Sequence, residues 1–280
     1  MNQILVTGAS GILGRAIVNE LAGSGMTVRQ GVRRLASAQA GVASVRFDYD
    51  DPGTFGPAVA GVDGLVLMAP PLDPTAPGKM APLVAAAKAA GVRHVVLISA
   101  FGVNHNEQAP LRVVEHMIMD SGVPYTILRP NFFMENFSTG FAAGSIKSQG
   151  AIYLAAGAGK TSFVCARDIA AVALSSFQRG LTGQELELTG PEALDHSEIA
   201  QIISEASGRP VVYHSLTEEQ MVDGARAAGM PETAVRYLAV LYSVVRAGFS
   251  AGVTPDVAHV TGREPVSFRT FAQEHAAIWQ

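Results

Sequence analysis

Thr7-Gly8-Ala9-Ser10-Gly11-Ile12-Leu13-Gly14 places three glycines at G-x-x-G-x-x-G spacing, directly after the apolar run Ile4-Leu5-Val6 and directly before the helical pattern Leu13, Ile17, Leu21. Gly8 permits a tight turn, Gly11 lets backbone N–H groups approach an anion, and Gly14 lets a helix close onto a sheet. The N–H groups at the start of that helix, around Ser10, Ile12 and Leu13, are oriented donors for a diphosphate. The chemistry implied is the grip of a dinucleotide. An acidic residue roughly 20 residues past such a turn would hold a ribose 2′-hydroxyl. Here the place reads Val32-Arg33-Arg34. Two guanidinium groups and no carboxylate favour a 2′-phosphate, and so NADP(H) over NAD(H). Asp48, after Val45-Arg46-Phe47, is either an acceptor for the adenine amino group or a turn residue.

Polar groups able to move a proton are few. Ser99 ends the run Val95 to Ile98, at the edge of a sheet where ligands bind. His105 follows in a loop, as either a proton donor or a solvated histidine. Asn131 either binds a nicotinamide amide or caps a turn, Glu115 and His116 read as packing and surface residues of a helix, and His94 reads as structural. Phe101, Phe132, Phe133, Met134 and Phe137 supply an aromatic wall, although the spacing of Phe133 and Phe137 equally suits a core face. Cys165 is the one cysteine, and no Cys/His cluster has metal spacing. Gly157-Ala158-Gly159-Lys160-Thr161 resembles the end of a P-loop, but Leu154 stands where the first glycine belongs and the strand-like Ser162-Phe163-Val164 follows, so triphosphate binding is rejected.

These residues need a scaffold. Ile4 to Val6, Val28 to Val32, Val45 to Phe47, Leu65 to Leu67, Val95 to Ile98 and Thr126 to Leu128 read as buried parallel strands. Met80, Leu83, Val84 and Ala87, then Leu111, Val114 and Ile118, mark intervening helices, with Gly91 and Gly122 at their ends. The expected fold is α/β, a doubly wound parallel sheet of the Rossmann type. Residues 1–130 form the dinucleotide core, rejoined by about 160–190. Residues 131–159 and 191–280 form a smaller, mostly helical substrate-binding part laid over the sheet. Within it, Asp195 with Glu198 and Thr217 with Gln220 have capping-box spacing, and Ile199, Ile202, Ile203 and Ala206 form a stripe ending at Gly208.

The 280 residues are 48 % apolar and only 16 % charged, with a net charge of −4, which argues against nucleic-acid binding. The opening lacks a basic segment before the glycine turn, and Tyr237 to Val245 is too short to span a bilayer. A cytoplasmic protein, without membrane partners, is expected.

Together the chain resembles the NmrA-like group of atypical short-chain dehydrogenase/reductases. The resemblance rests on the glycine turn, Ala89-Ala90-Gly91-Val92-Arg93-His94-Val95, Ser121-Gly122-Val123-Pro124-Tyr125-Thr126-Ile127-Leu128-Arg129-Pro130, Asn131-Phe132-Phe133-Met134-Glu135-Asn136-Phe137 and Asp168-Ile169-Ala170. It is strongest toward NAD(P)H-dependent quinone and dye reductases of the triphenylmethane reductase type. The resemblance implies that Arg33 meets the 2′-phosphate, that Met68-Ala69-Pro70 pass under the adenosine side, and that Ser99-Ala100-Phe101 and Pro130 to Phe132 flank the nicotinamide. One departure stands out. The Tyr-x-x-x-Lys pair of short-chain dehydrogenases is replaced by Glu107 and Leu111, and no tyrosine lies between Tyr49 and Tyr125. A ketone reductase needs a positioned acid for its alkoxide. Quinones, dyes, azo compounds and iminium ions do not, so an NADPH-dependent reductase of such conjugated small molecules is expected, as a monomer or homodimer. The alternatives are an NADP(H) sensor without turnover and a biosynthetic imine or iminium reductase.

Overall fold

The computed structural model describes residues 3–70 and 73–280. The first half alternates strand and helix: β1 (Gln3–Val6), α1 (Ile12–Gly23), β2 (Thr27–Val32), β3 (Ala43–Arg46), α2 (Phe55–Val59), β4 (Gly64–Met68), α3 (Ala76–Ala89), β5 (His94–Ile98), α4 (Pro110–Asp120) and β6 (Tyr125–Pro130). After α5 (Ala143–Gln149) and β7 (Ala151–Leu154), α6 (Ala166–Arg179) and β8 (Gln184–Leu188) return to the same sheet. Seven strands lie in the order β3-β2-β1-β4-β5-β6-β8, every neighbouring pair parallel.

Strand periodicity sorts the core. Leu5, Leu65, Leu67, Val95, Leu97 and Ile127 share one cluster with Phe55 of α2, Met80, Leu83 and Val84 of α3, and Val114 and Ile118 of α4. Their neighbours Ile4, Val6, Val66, Val96 and Leu128 are equally buried and point to the opposite face. There α1 and α6 pack on each other. Burial on both faces is why these strands are apolar without alternation. β3 covers 43–46 rather than the expected 45–47, but Phe47 N–H still reaches the Val32 carbonyl at 3.0 Å. β8 was not anticipated: its Gln-Glu-Leu-Glu-Leu alternates like a half-exposed edge strand.

The chain divides into two compact units, the first comprising Met1–Pro130, Ala166–Leu188 and His259–Gly262, the second Asn131–Cys165, Thr189–Ala258 and Arg263–Gln280. The second unit contains α5, β7, α7 (His196–Ser207), β9 (Val212–Ser215), α8 (Glu218–Ala227), α9 (Glu232–Arg246) and α11 (Phe268–His275), and the residues of α10 (Asp256–Thr261) are divided between the two. Reciprocal capping boxes form at Asp195/Glu198 and Thr217/Gln220, as their spacing predicts. Its core is aromatic: Phe137 packs edge-on against Phe163 and Phe268, and Trp279 Nε1 donates to the Phe137 carbonyl at 2.7 Å. The unit is not purely helical, because β7 and β9 pair in parallel. The strand expected at Ser162-Phe163-Val164 is reduced to isolated bridges, Thr161 with Leu194 and Val164 with Phe133. No helix among the described residues is long and apolar enough to cross a membrane.

Candidate functional site

β3 and β4 lie on opposite sides of β1 and β2, so the chain reverses direction across the sheet between β1 and β4. A crevice opens at the carboxyl ends of strands at such a reversal. The glycine turn leaves β1 there. Gly8 has φ +60°, open to glycine and strained for other residues. A Cβ on Gly14 would stand 2.1 Å from the Gly8 carbonyl oxygen, so only glycine lets α1 begin this close to the turn. Gly8, Ser10, Gly11 and Ile12 are exposed, whereas Thr7 and Leu13 are buried and offer no side-chain atom outward. α1 starts at Gly11 with no side-chain cap and no acid in its first turn, which leaves its first N–H groups for an anion. This uncapped, uncluttered helix start fits a diphosphate.

Thr7 has a different task from the one its place in the motif suggested. Its hydroxyl donates to the Val66 carbonyl (3.2 Å) and accepts from Met68 N–H (2.9 Å), stitching β1 to β4 at the crevice. Tyr49 closes the same knot, donating to the Met68 carbonyl at 2.6 Å with Thr7 Oγ1 at 3.3 Å. Burial pushes the Tyr49 phenol well above its ordinary value, so it is a strut and no acid. Met68, Ala69 and Pro70 are half-buried at the end of β4, with Met68 beside Gly8.

Arg33 and Arg34 are exposed at the end of β2, and among the described residues no carboxylate pairs with either. Asp48 is half-buried, and its Oδ1 accepts Asp50 N–H at 3.1 Å, the turn role that its sequence context left open. One carboxylate oxygen remains for a further donor.

Beyond β5 the structure assembles a network that sequence reasoning missed. Glu115, read as a packing or surface residue, is fully buried and receives Arg129 Nε on Oε1 and Arg129 Nη2 on Oε2, each at 2.8 Å. Arg112 Nη1 adds a third contact at 2.8 Å, and Ser99 Oγ lies 2.5 Å from Oε1. Burial alone would raise the Glu115 carboxyl, but the hydrogen bonds from Arg129, Ser99 and Arg112 together hold it below its usual range. Arg129 also pairs with Glu185 of β8. A legible signal existed: an arginine directly after Thr126-Ile127-Leu128, in the same buried strand, demands a buried partner. Outward from Arg112, Glu107 bridges to His116 at 2.7 Å.

Ser99, a candidate participant at the strand ends, has its hydroxyl committed to an ionised carboxylate. His105 is exposed at the end of a short 3-10 helix, 103–105, and among the described residues its ring has no hydrogen-bond partner. Ala100 and Phe101 are half-buried, and Phe101 N–H donates to the carbonyl of buried Pro130 at 3.0 Å. Asn131 is corrected too: both N–H of its amide are taken inside the second unit, by Ser162 Oγ and the Ser250 carbonyl at 2.8 Å each, so it presents no donor to a nicotinamide. Phe132 and Phe133 remain half-buried, but Met134 and Phe137 are only 1 % exposed and belong to the core. Their expected place in an aromatic wall is overturned by that packing.

Comparison with known proteins extends this geometry. Residues 1–253 match the model of the NmrA-like family. The chain is 35 % identical over 288 residues to an NAD(P)H azoreductase of Xenophilus azovorans, covering 99 % of both chains. Among solved structures it is similar to Citrobacter sp. triphenylmethane reductase complexed with NADP(H), at TM-score 0.84 and 26 % identity over 98 % of this chain and 99 % of that one. It is equally similar to an Escherichia coli NADPH-dependent quinone oxidoreductase complexed with NADPH, at TM-score 0.84 and 26 % identity over 97 % and 99 %.

Proposed function

Since the chain belongs to the NmrA-like family, we propose that it reduces an electron-poor, conjugated small molecule, a quinone, a dye or an iminium ion, without a tyrosine acid. It is an NAD(P)H-dependent oxidoreductase, and NADP(H) is its cofactor. The exposed turn at Gly8, Ser10, Gly11 and Ile12 would hold the diphosphate, and Arg33 and Arg34, exposed at the end of β2, the adenosine phosphate. The cofactor supplies hydride.

The observation that carries the choice of acceptor is the Ser99–Glu115 hydrogen bond. A ketone receiving hydride becomes an alkoxide and needs a protein acid within reach. The Ser99 hydroxyl donates its one hydrogen bond to Glu115, Tyr49 is fixed on Met68, and Glu115 is ionised against Arg129. None can serve. An acceptor that spreads the incoming charge over a conjugated system takes its proton later from water, and positioning supplies most of the rate. Phe101, just past β5, is half-buried, and a flat acceptor would stack on it.

The test is NADPH oxidation across quinones, azo and triarylmethane dyes, cyclic imines and simple ketones. Turnover confined to the conjugated acceptors is expected. Comparable kcat/KM on a simple ketone would contradict this reading.

A further inference from the structure

We infer that Ser99 meets its ligand only as a hydrogen-bond acceptor, and that the group it recognises is the primary amide N–H of the nicotinamide ring. The inference rests on NADP(H) being the cofactor. Arg129 Nε, Arg129 Nη2 and Arg112 Nη1 converge on Glu115 at 2.8 Å each. A carboxylate held by three guanidinium N–H groups has no proton to give. The 2.5 Å contact therefore runs in one direction, from the Ser99 hydroxyl to Glu115 Oε1. A serine hydroxyl has one proton and two lone pairs, so lone pairs are all that Ser99 has left.

Position narrows the ligand group. Ser99 follows β5, and its own N–H is pinned to the Leu128 carbonyl at 2.7 Å, so it cannot swing away from the strand ends. It sits on the β4–β5 side of the glycine turn, while Arg33 and Arg34 sit on the β2 side. A dinucleotide with its diphosphate at the turn and its adenosine at β2 carries its nicotinamide toward β4 and β5. Ser99 is 7 % exposed, so only a small group can reach it. That amide has both an N–H and a carbonyl; a lone-pair partner selects the N–H and so fixes which way the amide turns. Glu115 and Arg129 are positioning residues, since they act through Ser99.

Calorimetric titration of NADP+ and of its 3-acetylpyridine analogue separates the possibilities, because the analogue keeps the carbonyl and lacks the N–H. Wild type should bind the analogue about 3- to 10-fold more weakly. Ser99→Ala should weaken NADP+ by a similar factor and bind both ligands within about 2-fold, whereas Ser99→Thr should restore the discrimination. Equal binding by wild type would overturn the inference, and that comparison needs no variant to fold. Discrimination that persists in Ser99→Ala would overturn it as well, by assigning the amide to another group. No binding of NADP+ by wild type would overturn the cofactor reading, and this inference with it.

Discussion

The Tyr49 hydroxyl holds the Met68 carbonyl at 2.6 Å, tying the segment after β3 to the end of β4 beside the glycine turn. Tyr49→Phe removes that donor and leaves the Met68 carbonyl without it. The loss expected is about 1 kcal/mol of unfolding free energy, together with weaker NADPH binding as Met68 loosens beside Gly8. Urea denaturation at unchanged m-value and a fluorescence titration measure the two. An unaltered Kd would remove Tyr49 from any role in shaping the crevice.

Gly14 and Gly23 both lie in α1 but face different surroundings. A Cβ on Gly14 meets the Gly8 carbonyl oxygen at 2.1 Å and Ala9 Cα at 2.7 Å, whereas one on Gly23 meets nothing within 4 Å. Gly14→Ala should therefore abolish NADPH binding and destabilise the protein. Gly23→Ala should leave binding intact and stabilise by up to about 1 kcal/mol through helix propensity. Parallel thermal unfolding and cofactor titrations decide, and equal effects would mean the turn is not the cofactor's seat.

Arg33 and Arg34 have no carboxylate partner among the described residues, so their charge is available to a phosphate. Replacing both with alanine should weaken NADPH by about 10- to 100-fold, the range for charge-assisted contacts, and leave NADH nearly unchanged. Fluorescence titration of both coenzymes reads the ratio. An unchanged preference would refute the assignment.

Two buried histidines set an acid limit. His94 in β5 and His196 in α7 are each lowered by burial to about 4 from an ordinary 6.5. Thr126 Oγ1 donates to the Leu181 carbonyl, so His94 Nε2 is the donor to Thr126 at 2.8 Å, and its Nδ1 carries no proton and has no partner. The sign follows from linkage. Above about pH 6.5 both folded and unfolded histidines are neutral and stability is flat. Between about 6.5 and 4 the unfolded chain binds protons that the folded chain refuses, so stability falls by up to roughly 3 kcal/mol per histidine. Below about 4 their contribution levels off. Chemical denaturation at pH 7, 5.5 and 4.5 should show this fall, and His94→Gln should flatten part of it. A profile flat from 7 to 4.5 would contradict the burial argument.

Much of the scaffold was readable because its determinants are local. Ile4-Leu5-Val6, the glycine turn and Leu13, Ile17, Leu21 signal strand, turn and helix within twenty residues. Met80, Leu83, Val84 and Ala87 share one buried face as their spacing requires. β8 escaped because Glu185 and Glu187 alternate with Leu186 and Leu188, a pattern an exposed loop also shows. The site was readable where backbone makes it and opaque where side chains meet across the sheet. Glu115 looks like an ordinary helix charge until β6 brings Arg129 against it and β5 brings Ser99. Asn131 and Phe137 lie in a stretch whose composition suits a pocket, yet Ser162, Ser250 and Phe268 enclose them from far along the chain.

The most direct measurement of the central claim is the steady-state rate of NADPH oxidation with a para-quinone and with a simple ketone, each from pH 6 to 9. Quinone turnover should proceed with kcat independent of any protein acid across that range, and the ketone should give none. Ketone turnover governed by a single ionising group of the protein, or no turnover of any conjugated acceptor, would contradict the account.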